Sequence, residues 1–379
     1  MALVLTEEQE LLKDTAREFA LEKSPVSRLR ELRDSHDATG FGLDLWKEMG
    51  ELGWTGILLP EARGGSELGY AELGVLLEEL GRTLVPEPFL STVVLGATAL
   101  ELGGSDAQKD EILTAVAKGE RVLALAFQEQ GRFAPYAVST KAEATNSGFR
   151  LTGEKRFVLD GHVADDLLVV ARTSAQPGDR DGLTLFLVDP SVDAVQVTRT
   201  IMVDSRNAAR VRLDGADVDR SQVIGEVDKA ADILDPVFDR ASIALAAELL
   251  GTISEAWDRT LEYLKTREQF GVKIGSFQAL KHRAALMFCE IELCRSVVME
   301  ALRAIDENRP NVPQLASAAK ARVSDAAVLI GCEAVQLFGG IGMTDEEEIG
   351  FFLKRARAAE LTFGDASYHR DRFASLSGY

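Results

Sequence analysis

Two short polar signatures, Arg267-Glu268-Gln269-Phe270-Gly271 and Gln336-Leu337-Phe338-Gly339-Gly340-Ile341-Gly342, are set inside long apolar helical patterns. Glycines at a helix end permit positive φ and let a phosphate or a second backbone come close. An arginine offers a planar fork that can grip two phosphate oxygens at once. The same arginine at the end of a helix also simply complements the helix dipole, so the signatures alone leave both readings open.

The elements that must position them are legible as stripes. Apolar residues recur at Phe277, Leu280, Ala284, Met287, Ile291, Cys294 and Val298, the three-four alternation of one buried helix face. A second stripe runs through Ala319, Val323, Ala326, Ile330, Ala334 and Leu337, and an earlier one through Ile243, Ala247, Leu250, Ser254, Trp257, Leu261 and Leu264. Long helices with narrow stripes and short connections, broken at Asn308-Arg309-Pro310, predict an antiparallel bundle.

Upstream, Thr6 precedes acidic residues and then Leu11, Leu12, Ala16, Phe19 and Ala20, the pattern of a capped amphipathic helix. Further helices are expected to about Lys118, with a turn at Leu59-Pro60-Glu61-Ala62-Arg63-Gly64-Gly65-Ser66. From Arg121 the period changes to two. Strands are predicted over 123–127, 138–144, 149–151, 166–171, 183–188, 195–203 and 209–213, with turns at Asn146-Ser147-Gly148 and Asp214-Gly215. The expected fold is α+β: an N-terminal α-helical domain (1–119), a middle antiparallel β domain (120–228) and a C-terminal four-helix bundle (229–379).

Together with Phe277-Gln278, the two signatures carry the R-x-x-F-G and Q-x-x-G-G motifs at the spacing of the acyl-CoA dehydrogenase flavoproteins, and the chain resembles that family over essentially its whole length. The resemblance implies an FAD cofactor and an acyl-CoA substrate. It also implies a homo- or heterotetramer with a second dehydrogenase-like subunit, and an electron-transferring flavoprotein as acceptor. Carried over residue by residue, Arg267, Gln269 and Phe270 clamp the dinucleotide, Gln278 supports it, and Gln336, Leu337, Phe338, Gly339 and Gly340 present backbone to the adenine half. In that family the flavin ring sits in the neighbouring subunit.

Dehydrogenation of an acyl thioester needs a carboxylate to take the Cα proton and donors that acidify it. Where the family usually places its glutamate, this chain has Phe363, in Thr362-Phe363-Gly364-Asp365; where a minority places it, the residue is Ala241. Asp365 and Asp239 are the neighbouring catalytic candidates, although Asp239 opening a helix reads as a cap and Asp365 could pair with Arg370. The family's T-E-P-G-x-G-S-D turn reads Gln128-Glu129-Gln130-Gly131-Arg132-Phe133-Ala134-Pro135, and its K-x-W-I-T/S reads Lys155-Arg156-Phe157-Val158-Leu159. Phe157 could still stack on a ligand, although a strand phenylalanine is most often core. Residues for an FAD reaching in from another subunit are kept, whereas those for this chain's own flavin, base and CoA are replaced. That split resembles the small or β-type subunits of heteromeric bacterial acyl-CoA dehydrogenases, nearest to pimeloyl-CoA dehydrogenase small subunits. A partner would then supply the base, and the acyl group would be a dicarboxylyl or steroid side chain. The alternatives are a self-sufficient homotetramer with an atypical base, a non-catalytic subunit that binds no flavin, and a flavin monooxygenase.

Composition narrows the classes. The 379 residues, 46% hydrophobic, suffice for two or three domains with a real core, and the net charge of −19 speaks against a nucleic-acid surface. His36, His162, His282 and His369 stand apart without metal-ligand spacing. Cys289, Cys294 and Cys332, an odd count without disulfide spacing, suit a reducing cytoplasm. No apolar run is expected to approach the roughly 20 residues of a membrane span, and the N-terminus lacks the pattern of a signal peptide.

Overall fold

The computed structural model describes residues 4–379; the first three residues of the N-terminal reading lie outside the described residues. The chain opens with α1 (Glu7–Lys23), α2 (Val26–Asp34), α3 (Leu43–Glu51) and α4 (Tyr70–Arg82), then a π-wound turn over Phe89–Ala97 that runs into α5 (Thr98–Gly103), and the short α6 (Asp106–Gln108) and α7 (Thr114–Ala117). Thr6 caps α1 as its sequence requires. The Thr6 hydroxyl accepts from Gln9 N–H at 3.2 Å and the Gln9 side chain accepts from Thr6 N–H at 3.0 Å.

The middle domain carries β1 (Leu123–Ala126), β2 (Lys141–Ala144), β3 (Gly148–Leu159), β4 (Asp166–Arg172), β5 (Leu183–Val188), β6 (Val195–Ile201), β7 (Asn207–Asp219) and β8 (Val223–Ile224). The sheet runs β6-β7-β3-β2-β4-β5-β8, with β1 paired to β4. Neighbours are antiparallel except β1 on β4, Leu123 opposite Asp166, and a single parallel pair between β2 and β4. Leu151, Val169, Phe186 and Val211 fill its core and are inaccessible to solvent.

Three strand details differ from the sequence reading. β3 continues through Glu154 to Leu159, because bulges at Leu151/Thr152 and Lys155/Val158 re-aim its polar residues instead of ending the strand. Asp214-Gly215 is inside β7, Gly215 at φ +76° forming the bulge against Thr152, so it is no turn. Phe157, expected in the core, is 41% exposed at φ +52°, on the second bulge.

The C-terminal domain consists of α8 (Ala230–Thr266), the two-strand hairpin β9 (Glu268–Gln269) and β10 (Val272–Lys273), α9 (Gln278–Asp306), α10 (Val312–Phe338), α11 (Ile349–Leu361) and α12 (Ala366–Leu376). The stripes face inward at Ile243, Leu250, Met287, Ile291, Val323 and Ile330, which are buried, whereas Phe277, the first member of the α9 stripe, precedes the helix and is 39% exposed. Against the expectation from apolar runs, Val312–Met343 is long and apolar enough to cross a membrane, with mean hydropathy 1.6. Half of that window is buried inside the protein, which is also what a core helix requires.

Contacts gather into two units. The first comprises residues up to Ser35, Tyr70–Val85 and Ser242–Tyr379; the second, His36–Gly69 and Pro86–Ala241. In the first, α4 and α8 cross so closely that a Cβ on Gly251 would lie 1.7 Å from Glu78 O and one on Gly81 2.1 Å from Glu248 O. Only glycine fits both positions. Beside the crossing, the buried Arg355 guanidinium donates to Glu248 at 3.0 Å, and Arg17 makes a two-pronged bond to Glu79 at 3.0 Å.

Candidate functional site: a nucleotide clamp at two helix ends

α8 stops at Thr266, and Arg267 is the first residue beyond it, its N–H donating to Tyr263 O at 2.9 Å. The chain then doubles back. Gln269 opposes Val272, and the loop between them is Phe270-Gly271, with φ +57° and +77°, the two positive values a tight right-twisted hairpin demands. Lys273 fastens the hairpin by donating to Thr266 O at 2.9 Å and pairing with Glu268 at 2.7 Å. The hairpin is therefore built locally. Its tip is apolar: Phe270 is 90% exposed and meets Phe277 edge-on at 6.2 Å. Arg267 and Gln278 are exposed, and the Gln269 side-chain amide donates to Glu268 O at 2.9 Å. Gln278 opens α9, whose N-terminus no side chain caps.

The second signature ends α10. Leu337 and Phe338 are buried, so their side chains hold the turn and only their backbone can face a ligand. Gln336, Gly339 and Gly340 are exposed, Gly339 at φ +68°, and a Cβ on Gly339 or Gly340 would meet nothing within 4 Å. Gly342 differs: its Cβ would lie 2.7 Å from Val335 O, so packing explains it. A pocket of about 410 Å³ opens here, lined by Gln336, Gly339, Gly340, Met343, Cys332 and Leu353. The two signatures belong to one corner of the fold, because Tyr263, on the last turn of α8, stacks on Phe338 with ring centroids 4.3 Å apart and planes at 13°. A bare glycine turn, a pocket and an exposed guanidinium fit the adenosine pyrophosphate of FAD.

The positions expected for a base look different. Phe363 is 2% exposed at φ +59°, its carbonyl accepting from His369 Nε2 at 3.0 Å. Buried Lys320 locks this corner by donating to Glu360 O and Gly364 O, both at 2.9 Å, and to Ser324 Oγ at 3.1 Å. Burial lowers the Lys320 ammonium to about 7. Burial, then the Lys320 charge, lowers His369 to about 3. Asp365 caps α12, its Oδ1 accepting from Tyr368 N–H at 2.8 Å, while Arg370 pairs with Asp325 rather than with Asp365. Asp239 opens no helix. α8 begins at Ala230, so Asp239 lies inside it, 4% exposed, and Ala241 is wholly buried.

In the β domain Glu129 survives from the motif as a buckle. Its carboxylate accepts from Ser139 N–H at 2.7 Å, Thr140 N–H at 3.0 Å and Thr140 Oγ at 2.6 Å, and pairs with Lys155 Nζ at 2.6 Å. Lys155 is fully buried; burial, opposed by Glu129, lowers it to about 8. Beside the buckle, Phe127, Phe133 and Phe238 form a cluster of rings that the sequence reading passed over. Its one signal was a phenylalanine, Phe133, at a glycine position of the motif.

Comparison with known proteins gives the family. Residues 6–120 match the acyl-CoA dehydrogenase N-terminal domain, 125–215 the middle domain and 233–376 the C-terminal domain. The chain is 29% identical to the mitochondrial isovaleryl-CoA dehydrogenase of Pongo abelii over 374 residues, 97% of this chain and 88% of that one. Among solved structures, a Tcur3481-Tcur3483 steroid ACAD variant is 32% identical with a TM-score of 0.87, covering 98% of both chains. The ChsE4-ChsE5 complex from Mycobacterium tuberculosis is 27% identical with a TM-score of 0.89, covering 100% of both. Three domain matches in the family's order, over a fold that presents the nucleotide motifs at one surface corner, place this chain in the acyl-CoA dehydrogenase family of FAD-dependent oxidoreductases acting on CH-CH groups.

Proposed function

We propose that the chain is the nucleotide-clamping subunit of a heteromeric acyl-CoA dehydrogenase, which converts an acyl-CoA thioester to the trans-2-enoyl-CoA and takes a dicarboxylyl or steroid side-chain substrate. The observation that carries this reading is an asymmetry. Arg267, Gln336, Gly339 and Gly340 stand exposed around open space, while Phe363 and Ala241, at the two positions of the family's base, are shut into the core. Two similar structures, the ChsE4-ChsE5 complex and the Tcur3481-Tcur3483 steroid ACAD, each carry two protein names, which supports a two-chain enzyme and a steroid-type acyl group.

Bound FAD supplies the hydride acceptor. This chain's residues would do the holding: the Arg267 fork would grip the pyrophosphate, Gln269 and Phe270 would close over the dinucleotide, Gln278 would support it, and the Gln336–Gly340 turn would offer backbone N–H groups to the adenine half. Asp365 serves as a helix cap and Asp239 lies inside α8, so the Cα proton goes to a carboxylate of the partner subunit. Electrons then pass to an electron-transferring flavoprotein. The three free thiols suit a cytoplasmic enzyme.

Co-expression with a second dehydrogenase-like chain that carries the glutamate tests the division of labour. The pair should hold FAD and turn over acyl-CoA, and the chain purified alone should not. Full activity and tight FAD in the lone chain would reject the reading.

A further inference from the structure

β1 ends at Ala126, and the rim that follows it returns across the first turns of α8. Three phenylalanines meet there: Phe127 at the end of the strand, Phe133 in the rim, and Phe238 on the helix, three residues before Ala241. Centroids are 4.7 Å apart for Phe127 and Phe238, 5.3 Å for Phe133 and Phe238 with planes at 89°, and 5.9 Å for Phe127 and Phe133 at 73°. Rings at these separations are in direct contact, so no further group fits between them. Phe127 and Phe238 are each 6% exposed, and Phe133 is half-buried over them.

Polar ties fasten the same two elements. The Tyr136 hydroxyl donates to Asp235, and Arg180 donates to Asp232 at 2.7 Å and to Asp235 at 3.0 Å. Gly178 N–H donates to Tyr136 O at 3.0 Å, and Arg172 donates to Tyr136 O and Asp179 O, both at 2.9 Å. Both the rim and the loop between β4 and β5 are thereby bound to the start of α8. The helix face they cover carries two carboxylates, an unfavourable lining for a phosphate-bearing ligand.

We propose that Phe133 is a plug that keeps an acyl thioester out of the cleft between the β1 rim and α8, making this subunit a nucleotide holder that cannot seat acyl-CoA on its own rim. The proposal rests on the family reading above, in which the turn at 128–135 stands where the T-E-P-G-x-G-S-D motif is replaced, and on the ring geometry for the closure. Removing one ring should open the space, because Phe133 sits on an exposed turn where a Cβ on Gly131 would meet nothing within 4 Å, while Glu129 and Lys155 hold the rest of the rim independently.

The probe is S-octyl-CoA, a thioether that cannot be dehydrogenated as a thioester, titrated calorimetrically into the full chain with FAD added. F133G and F133S should bind it at least about tenfold tighter than wild type, and F133L should stay within about threefold of wild type. Equal affinity of wild type and the small variants, whether both bind or neither does, would overturn the plug. Two small variants guard against one misfolding, and the thermal midpoint of each certifies the fold. Flavin absorbance of each variant co-expressed with the partner subunit separates the two ideas. A gain in S-octyl-CoA affinity in the lone chain, with no FAD held by the pair, sinks the clamp and keeps the plug, and FAD held by the pair without the gain does the reverse.

Discussion

Phe270 stands 90% exposed at the tip of a two-residue turn, and Arg267 is exposed at its base. Neither holds the fold: Lys273, Glu268 and the Ile274 N–H to Arg267 O bond at 2.9 Å do that. Arg267→Ala should therefore cost little stability, within about 0.5 kcal/mol as for most surface changes. Charge-assisted bonds to phosphate are worth about 1.5–3 kcal/mol, so FAD retention through dialysis should fall about tenfold or more. Flavin absorbance of the co-expressed pair and thermal unfolding of the lone chain check the two halves. Undiminished flavin in the alanine variant would take Arg267 out of the clamp. Leu337 and Phe338 show the opposite division, because they belong to the motif but their side chains are buried and only their backbone is available.

At the scale of elements, the corner between α11 and α12 is where the family's base would lie, and here it is built for packing. His369 sits against the Phe363 carbonyl at 3.0 Å and Ser317 Oγ at 3.4 Å, with Lys320, Arg372 and Asp365 as its charged neighbours. Its folded value is depressed to about 3 from an ordinary value of 6.5. Between those two values the unfolded chain binds a proton that the folded chain refuses, so the neutral imidazole's contribution is whole above pH 6.5 and is lost as pH falls toward 3. From pH 7 to pH 5 this linkage alone removes about 2 kcal/mol. Urea unfolding at the two pH values should show wild type losing more stability than His369→Asn by roughly that amount. Parallel losses would mean that the imidazole is protonated in the folded state.

The same corner shows what a sequence can reveal. The stripes of α8, α9 and α10 and the cap at Thr6 were legible because each depends on neighbours three or four residues away. Lys155 and Lys320 were not, because a buried ammonium is tolerated through partners far along the chain, Glu129 for one and the Glu360 and Gly364 carbonyls for the other. β3 and β7 were read too short for a related reason: their polar stretches pair across bulges with each other, and a bulge leaves no local period. The arginine and glycine motifs were legible as sequence patterns, whereas the aromatic closure at Phe133 needed Phe238, more than 100 positions away, to be seen beside it.

The whole molecule carries a net charge of −19 and yet keeps an aromatic hairpin tip almost entirely in water. Full burial of such a ring is worth about 1.5–3 kcal/mol, which is the gain open to a contact that covers it. The hairpin holds its shape through its own bonds, so it is ready-formed to insert into a second chain or over a dinucleotide held there. Phe270→Ser should then leave the unfolding midpoint of the isolated chain unchanged and weaken its assembly with the partner subunit by about tenfold or more. Sedimentation of the two mixed chains across a concentration series reads the assembly, and the flavin-to-protein ratio of the sedimenting species reads the cofactor. A serine variant that assembles as wild type but sheds FAD would assign the ring to the dinucleotide alone. One that neither dissociates nor sheds FAD would leave the exposed ring without a role in either contact and remove the hairpin from the clamp.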